Sequence, residues 1–317
     1  MEKALAIQKE VIKILGTEEV YLVGGSVRDI VMGNIPKDYD FTTPMLPDDI
    51  EAAVEKAGRH SYGIGKKFGT IGFKIKVPVL EHDLSTGKAE YKTEPFFNGY
   101  EYVEVTTFRS EVYTSKSRKP EVEFVTSLDE DLARRDFTQN AMILRPDGTI
   151  YDPFGGKLDI HAKKIVTVGL PKDRIQEDPL RMLRAARFAS RYGFEIDPNF
   201  IGKARQLADR IYDVSVERWV QELDKLLTSD NPMIGERVLF EMGLMYRIFP
   251  EFLNEYALPP KESLGQDVDS AWQQFLSRID NNKKVARYIN AGICARLKFS
   301  NTRTTIVLDS NNNKQVQ

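Results

Sequence analysis

The sequence predicts an α+β fold in which a mixed β-sheet region is followed by an all-α region. Val20–Val23 reads as a short strand that breaks at Gly24 and Gly25 and passes directly into a helix. Gly69–Val77 alternates like a half-buried strand, and Tyr102–Arg109 also reads as extended. Beyond about residue 175 the spacing becomes helical, most clearly where Asp178-Pro179 supplies a cap and a first-turn proline and Gly193 supplies a left-handed exit.

The elements follow in order. Residues 3–15 place Leu5, Ile7, Ile12 and Leu15 among the apolar positions of an amphipathic helix that stops at Gly16. After the glycine turn, Ser26 is a candidate cap for a short helix through Ile30–Met32 with an exit at Gly33. Ile35–Phe41 returns to extended structure and Pro47–Ala57 reads as helix. The polar stretch Glu81–Gly99 is expected to protrude as a loop or hairpin, and Ser110–Lys119 as a mobile connection. From Pro259 to Gln317 polar residues and short apolar patches mix, the terminal NNNKQVQ is expected to fray, and no internal repeat is present.

A chain of 317 residues exceeds one usual core, and 41% apolar with 29% charged residues suits a soluble globular protein. Cys294 stands alone, so no internal disulfide forms, and three histidines without cysteine partners exclude the usual structural zinc sites. A cytoplasmic setting is expected. The N-terminus lacks the apolar core of a signal peptide and no long apolar run follows, so no membrane association is expected. With a net charge of −2, any nucleic-acid binding has to use local basic faces.

Asp38 and Asp40 in PKDYD lie two residues apart, which on an extended segment points both carboxylates to one face. Hard oxygen ligands of this kind suit Mg²⁺, with Glu104 in YVEVTTF as a third carboxylate. Two metals about 3.5 to 4 Å apart serve in-line displacement at phosphorus, which makes phosphoryl or nucleotidyl transfer the natural reaction. A polar turn after Pro36 explains the same aspartates. The Gly24-Gly25 turn exposes backbone N–H groups to an anion such as a triphosphate; Gly25 permits close approach, and Arg28 reaches phosphate or forms a salt bridge with neighbouring acids.

Asp178 and Arg181 offer an acceptor and a donor, matching the amino group beside a ring nitrogen that cytosine and adenine share and mismatching guanine and uracil. Hydrogen-bonded base readout discriminates by about 1 to 3 kcal/mol. A helix cap paired with Arg181 is the plain alternative. Arg181, Arg184, Arg187 and Arg191 share one helical face, which reads as a phosphate-facing stripe or a solvated surface. In LARRDFTQNAM, Arg135 is a candidate for phosphate or sugar, and Asp136 and Asn140 for ribose hydroxyls; salt bridges are the alternative. DPFGG at residues 152–156 suits a hinge or an ordinary turn.

In combination and in order, GGSVRD with KDYD, EVTTFR, RRDFTQNAM, DPFGG and EDPLRMLRAARFASRYGF resemble the class II, bacterial-type CCA-adding enzymes and their poly(A) polymerase relatives, over roughly Tyr21 to Pro250. The resemblance implies a nucleotidyltransferase head over residues 1–165, a helical neck with base recognition over 166–230 and a shortened helical RNA-binding body over 231–317. It implies Mg²⁺ on Asp38 and Asp40 with Glu104 beside them. Gly25, Arg28 and Arg135 would contact the incoming nucleotide, Asp136 its ribose, Asp178 and Arg181 its base, and Arg184 and Arg187 its phosphates. The implied reaction adds C and A from CTP and ATP to the 3′ end of tRNA with release of pyrophosphate. Poly(A) polymerase, an A-adding enzyme, an inactive RNA-binding protein and a small-molecule nucleotidyltransferase are the competing readings. The segment Val79–Gly99 looks inserted, and the C-terminal part is short.

Overall fold

The computed structural model describes residues 1–63, 65–76, 79–83, 88–92, 99–112, 121–251, 267–276 and 292–308. The chain divides into two compact units, Met1–Ala162 and Lys163–Gln317. The fold class is α+β, with the sheet in the first unit and helices dominating the second.

The first unit contains α1 (Glu2–Leu15), β1 (Tyr21–Val23), α2 (Gly25–Val31), β2 (Tyr39–Thr43), α3 (Pro47–Lys56), β3 (Ser61–Tyr62) and β4 (Thr70–Lys76). It continues through β5 (Val79–Asp83), β6 (Lys88–Lys92), β7 (Tyr100–Thr107), β8 (Arg109–Val112), β9 (Glu121–Phe124) and α4 (Leu128–Ala133), then β10 (Ile143–Leu144), β11 (Ile150–Tyr151) and α5 (Gly156–His161). Seven strands form one sheet in the order β11-β10-β1-β2-β7-β4-β3. Only β2 and β7 pair in parallel; the other neighbours are antiparallel.

One-sided burial explains the alternation in these strands. Tyr39, Phe41, Phe73, Ile75, Val103 and Val105 are buried with Ile7 and Val11 of α1 and Ile50 and Val54 of α3. Asp40, Lys74, Tyr102 and Glu104, at the alternate positions, are exposed. Gln8 is a buried polar side chain on α1; its amide nitrogen donates to Val20 O at 2.7 Å and Leu144 O at 3.1 Å, tying α1 to the chain leading into β1 and to β10.

The stretch Glu81–Gly99, expected to protrude as a loop or hairpin, contains a strand pair, and the connection expected at Ser110–Lys119 begins in a strand. Val79–Asp83 and Lys88–Lys92 form an antiparallel hairpin inside the segment that looked inserted. Residues 109–112 pair with 121–124, so the expected mobile connection begins as a strand, and 113–120 lie outside the described residues.

The second unit holds the short parallel pair β12 (Lys164–Ile165) and β13 (Glu195–Ile196) with α6 (Pro171–Glu177), α7 (Leu180–Tyr192), α8 (Pro198–Gln206), α9 (Val216–Leu227), α10 (Pro232–Glu241) and α11 (Met245–Ile248). α7 packs against α9 and α10. The C-terminal region, which mixes polar and apolar residues in sequence, contributes α12 (Val268–Leu276) and α13 (Asn301–Leu308). Trp272 is fully buried, donates its indole N–H to Asp224 on α9 at 2.6 Å, and contacts Phe249, Phe275 and Phe299 edge-on. Arg303 on α13 closes this junction with two hydrogen bonds to Asp224 and one to Asp269. The final residues 309–317, expected to fray, lie outside the described residues.

DPFGG forms the cap of α5: Asp152 accepts from Gly156 N at 2.8 Å and Lys157 N at 2.9 Å, and Gly155 takes a left-handed φ of 76°. A Cβ on Gly156 would lie 2.3 Å from Thr138 O, a backbone atom that cannot simply step aside. Gly202, inside α8, meets nothing within 4 Å. Gly156→Ala is therefore expected to destabilise the first unit by roughly 1–3 kcal/mol, and Gly202→Ala to stabilise the second by about 0.5–1 kcal/mol. Urea denaturation of each variant checks both signs; equal midpoints for the two would contradict this packing.

Candidate active site

β2 emerges from the turn after Pro36 so that Asp38 and Asp40 flank the buried Tyr39 and both remain exposed. Ser26, read above as a helix cap, has a different task. Its hydroxyl donates to Asp38 O at 2.9 Å and accepts from Asp40 N at 3.3 Å, so the first turn of α2 fixes the backbone on either side of Tyr39. Gly24, at φ 71°, occupies the N-cap position of α2.

The parallel register places Asp40 directly beside Glu104. Asp40 is open to solvent on one side and crowded by protein on the others. This crowding, together with the charges of Glu104 and Asp38, pushes its carboxyl up to about 6, against an opposing pull from Arg135. Asp40 and Glu104 stand side by side in register with Asp38 one alternation away, and like charge repels like among them. Among the described residues no three acidic, histidine or cysteine side chains lie close enough together to hold an ion as they stand. Tyr102 stands two residues before Glu104 on the same face; partial burial, followed by the nearby carboxylate charge, raises its phenol above the ordinary value. On the other side of Glu104 its register partner is Gly72.

Asp131 organises the cationic side. It is completely buried, pairs with Arg134 at 2.7 Å and Arg135 at 3.0 Å, and accepts from Thr42 on β2 and from the backbone N–H of Arg109. Burial alone would raise its carboxyl, but Arg135 and Arg134 hold it below the ordinary carboxylate value. Arg135 also reaches Asn140 O at 3.5 Å, and a Cβ at Gly24 would come within 3.3 Å of its guanidinium. A glycine there lets this arginine approach the turn.

Arg28, Asp136 and Asn140 come together as a buried network. Arg28 donates to Asp29 at 2.8 Å and 3.0 Å and to the Asn140 amide oxygen at 2.7 Å, and Asn140 donates to Asp136 at 3.0 Å. The acid pairing weighed for Arg28 in the sequence is present, in a buried setting. Gly25 lies against this guanidinium, which a Cβ would meet at 3.2 Å.

In the second unit Asp178 and Arg181 have separate partners. Asp178 accepts from Leu180 N at 3.1 Å, as a cap does, and pairs with Arg218 on α9 at 2.8 Å. Arg181 is buried and donates to Glu177 at 2.6 Å and Arg174 O at 3.0 Å. Arg187 pairs with Glu222 at 2.6 Å, and Arg184 lies 3.8 Å from the same carboxylate. The arginine stripe is largely internal because Glu222 faces it from α9, whereas Arg191 at its end is exposed.

Sequence reasoning passed over Ser26's bridging role, Asp131, Gly72, Tyr102, Arg218 and Glu222. Asp131 carried one available signal: its spacing of three and four residues from Arg134 and Arg135. Nothing local marks Glu222 as different from its neighbours.

Two predictions follow from these electrostatics. Asp40 has a raised folded pKa, so its ionisation opposes folding above about pH 6, and this penalty fades as pH falls from about 6 towards 4. In metal-free buffer, Asp40→Asn is expected to be more stable than wild type at pH 7.5, with the gap narrowing at pH 5; thermal denaturation at both values checks it. Asp131→Asn, which removes a buried partner from two arginines, is expected to destabilise the first unit by about 3–5 kcal/mol in urea denaturation.

Comparison with known proteins agrees with this geometry. The family model described as the poly A polymerase head domain matches residues 20–166, and one described as a probable RNA and SrmB-binding site of polymerase A matches residues 193–255. The CCA-adding enzyme of Bacillus subtilis (strain 168) is 41% identical over 258 residues, which covers 80% of this chain and 58% of that enzyme. The CCA-adding enzyme of Levilactobacillus brevis is 39% identical over 235 residues, covering 74% of this chain and 52% of its own. The chain thus matches only about half the length of these relatives. A crystal structure of the Bacillus stearothermophilus CCA-adding enzyme in complex with CTP superposes with a TM-score of 0.61 at 30% identity, covering 96% of this chain and 65% of that one. The ordered motifs, the carboxylate-bearing sheet and these likenesses place the chain in the poly A polymerase family, to which the bacterial CCA-adding enzymes belong.

Proposed function

We propose that this protein adds C and A residues to the 3′ end of tRNA from CTP and ATP, without a template and with release of pyrophosphate. The observation that carries the reading is the register of Asp40 with Glu104, with Asp38 one alternation away, on an exposed sheet face beside the Gly24-Gly25 turn. Support also comes from the similarity to CCA-adding enzymes, one of them crystallised with CTP.

The three carboxylates fit a divalent cation, which we take to be Mg²⁺. They are hard oxygen donors, and the burial and like charge that together raise the Asp40 carboxyl are what a bound cation would offset. Asp38 and Asp40 would hold it. When bound, it supplies positive charge for the attacking and departing oxygens of an in-line displacement. The RNA 3′-hydroxyl attacks the α-phosphorus of the nucleotide, and the bond to pyrophosphate breaks. Arg135, held by Asp131 at the edge of the turn, faces the phosphates together with the backbone at Gly25. Arg28, Asn140 and Asp136 brace that turn from behind and complete ribose recognition.

In the second unit, residues 166–230 are assigned to base recognition and 231–317 to RNA binding. Asp178 and Arg181 read the edge that cytosine and adenine share. Their bonds to Arg218 and Glu177 hold both side chains before a base arrives, and Arg184 and Arg187 supply charge for neighbouring phosphates. The cytoplasm is the expected setting, in keeping with Cys294 as a buried free thiol. Among the described residues no helix is long and apolar enough to cross a membrane.

The test offers tRNA ending before CCA, tRNA ending in CC and an unrelated RNA, each with Mg²⁺ and CTP, ATP or both, and resolves products at single-nucleotide length. Addition of CCA followed by arrest is expected, and Asp38→Ala and Asp40→Ala should each lower incorporation at least a thousandfold, about 4 kcal/mol of transition-state stabilisation. Long A tails on every RNA would replace this reading with poly(A) polymerase; A added only to CC-ended tRNA would make it an A-adding enzyme. Unchanged turnover in folded Asp40→Ala would remove the mechanism.

A further inference from the structure

Four residues stand in register across adjacent strands: Asp40 on β2, Glu104 on β7, Gly72 on β4 and Tyr62 on β3. Gly72 is buried because Tyr102 lies over it. A Cβ at Gly72 would sit 1.9 Å from the Tyr102 hydroxyl oxygen and 2.5 Å from the ring carbon that bears it, so only glycine lets the ring settle across β4. The Tyr102 ring then meets Tyr62 at 6.0 Å between centroids, and Tyr62 meets His60 edge-on at 4.8 Å. Tyr102 remains 45% exposed, with Tyr100 at the next same-face position of β7 and exposed Lys74 as the register partner of Tyr102. The result is an aromatic ledge with a positive neighbour, beginning two residues, or about 7 Å, from a catalytic carboxylate.

The order of strands decides what such a ledge can serve. The Gly24-Gly25 turn leaves β1, on one side of the carboxylate pair, and the ledge lies on the other side, towards β4 and β3. In an in-line displacement the attacking oxygen forms its bond to phosphorus on the side opposite the bond to pyrophosphate that breaks. If the triphosphate lies at the glycine turn, the attacking strand arrives from the ledge side. Exposed aromatic faces beside a cation are the means by which proteins hold unpaired bases regardless of their identity. Such tolerance suits an acceptor end whose last base changes with each addition.

We propose that Tyr102, set in place by Gly72 and backed by Tyr62, is the stacking platform for the 3′-terminal base of the RNA acceptor, delivering its ribose hydroxyl to Asp40 and Glu104. This rests on the nucleotidyl-transfer reading above and adds to it a subsite for the acceptor strand.

The experiment uses the full chain and a short single-stranded RNA carrying 2-aminopurine as its 3′-terminal base, whose fluorescence is quenched by stacking, with no nucleotide present. Wild type and Tyr102→Phe are expected to quench it; Tyr102→Leu and Gly72→Ala, two unrelated changes that both remove the ring from its seat, are expected not to. In steady-state assays the latter two should raise the KM for the RNA acceptor by roughly five- to tenfold or more, as loss of one base–aromatic stack does, and leave the KM for CTP and ATP in place. Quenching by Tyr102→Leu equal to wild type, or a rise confined to the nucleotide KM, overturns the platform. Tyr102-dependent quenching in a wild-type protein that incorporates no nucleotide would retain the platform and discard the transfer reaction. Incorporation by wild type without such quenching would do the reverse.

Discussion

The parallel pairing of β2 with β7 is the constraint on which the first unit is built. It sets Asp40 beside Glu104 with Asp38 near, and burial, followed by the charges of Glu104 and Asp38, raises the Asp40 carboxyl. Everything around them resists the tendency to separate. Tyr39, Phe41, Val103 and Val105, the alternate residues of the same two strands, are buried under α1 and α3, so shifting the carboxylates would expose core. Ser26 holds the backbone on both sides of Tyr39.

Asp131 answers the same problem with the opposite sign. A fully buried carboxylate is tolerated because two arginines, a hydroxyl and a backbone N–H satisfy it, and in return it fixes Arg135 near the glycine turn. The second unit repeats this principle around α7, where Glu177 and Glu222 hold arginines that would otherwise be long and mobile. These side chains are in this way ordered beforehand, which lowers the conformational entropy they would lose in any further contact.

Much of this was legible in the sequence because it rests on local pattern. The two-residue spacing of Asp38 and Asp40, the glycine pair after β1, the Asp178-Pro179 start and the Gly193 exit each follow from backbone geometry within a few residues. Val79–Asp83 and Lys88–Lys92 pair as a hairpin, one of the two forms expected of that stretch, whereas the pairing of Arg109–Val112 with Glu121–Phe124 was not read, because it joins segments whose composition gives little sign of it. The C-terminal helices were obscure for a related reason. Trp272, Arg303 and Asp224 make sense only as a junction between segments 48 and 79 residues apart.

The sequence by itself determined the class of fold, the carboxylate pair and the order of motifs that marks the family, since these depend on side-chain chemistry at short, fixed spacings. Tertiary structure alone decided the register that sets Glu104 beside Asp40, that Arg28 is buried against Asn140, that Glu222 turns the arginine stripe inward, and that Gly72 makes room for Tyr102. Each of these depends on strand register or helix packing between residues far apart in the chain, and such pairings are fixed by burial of the whole core.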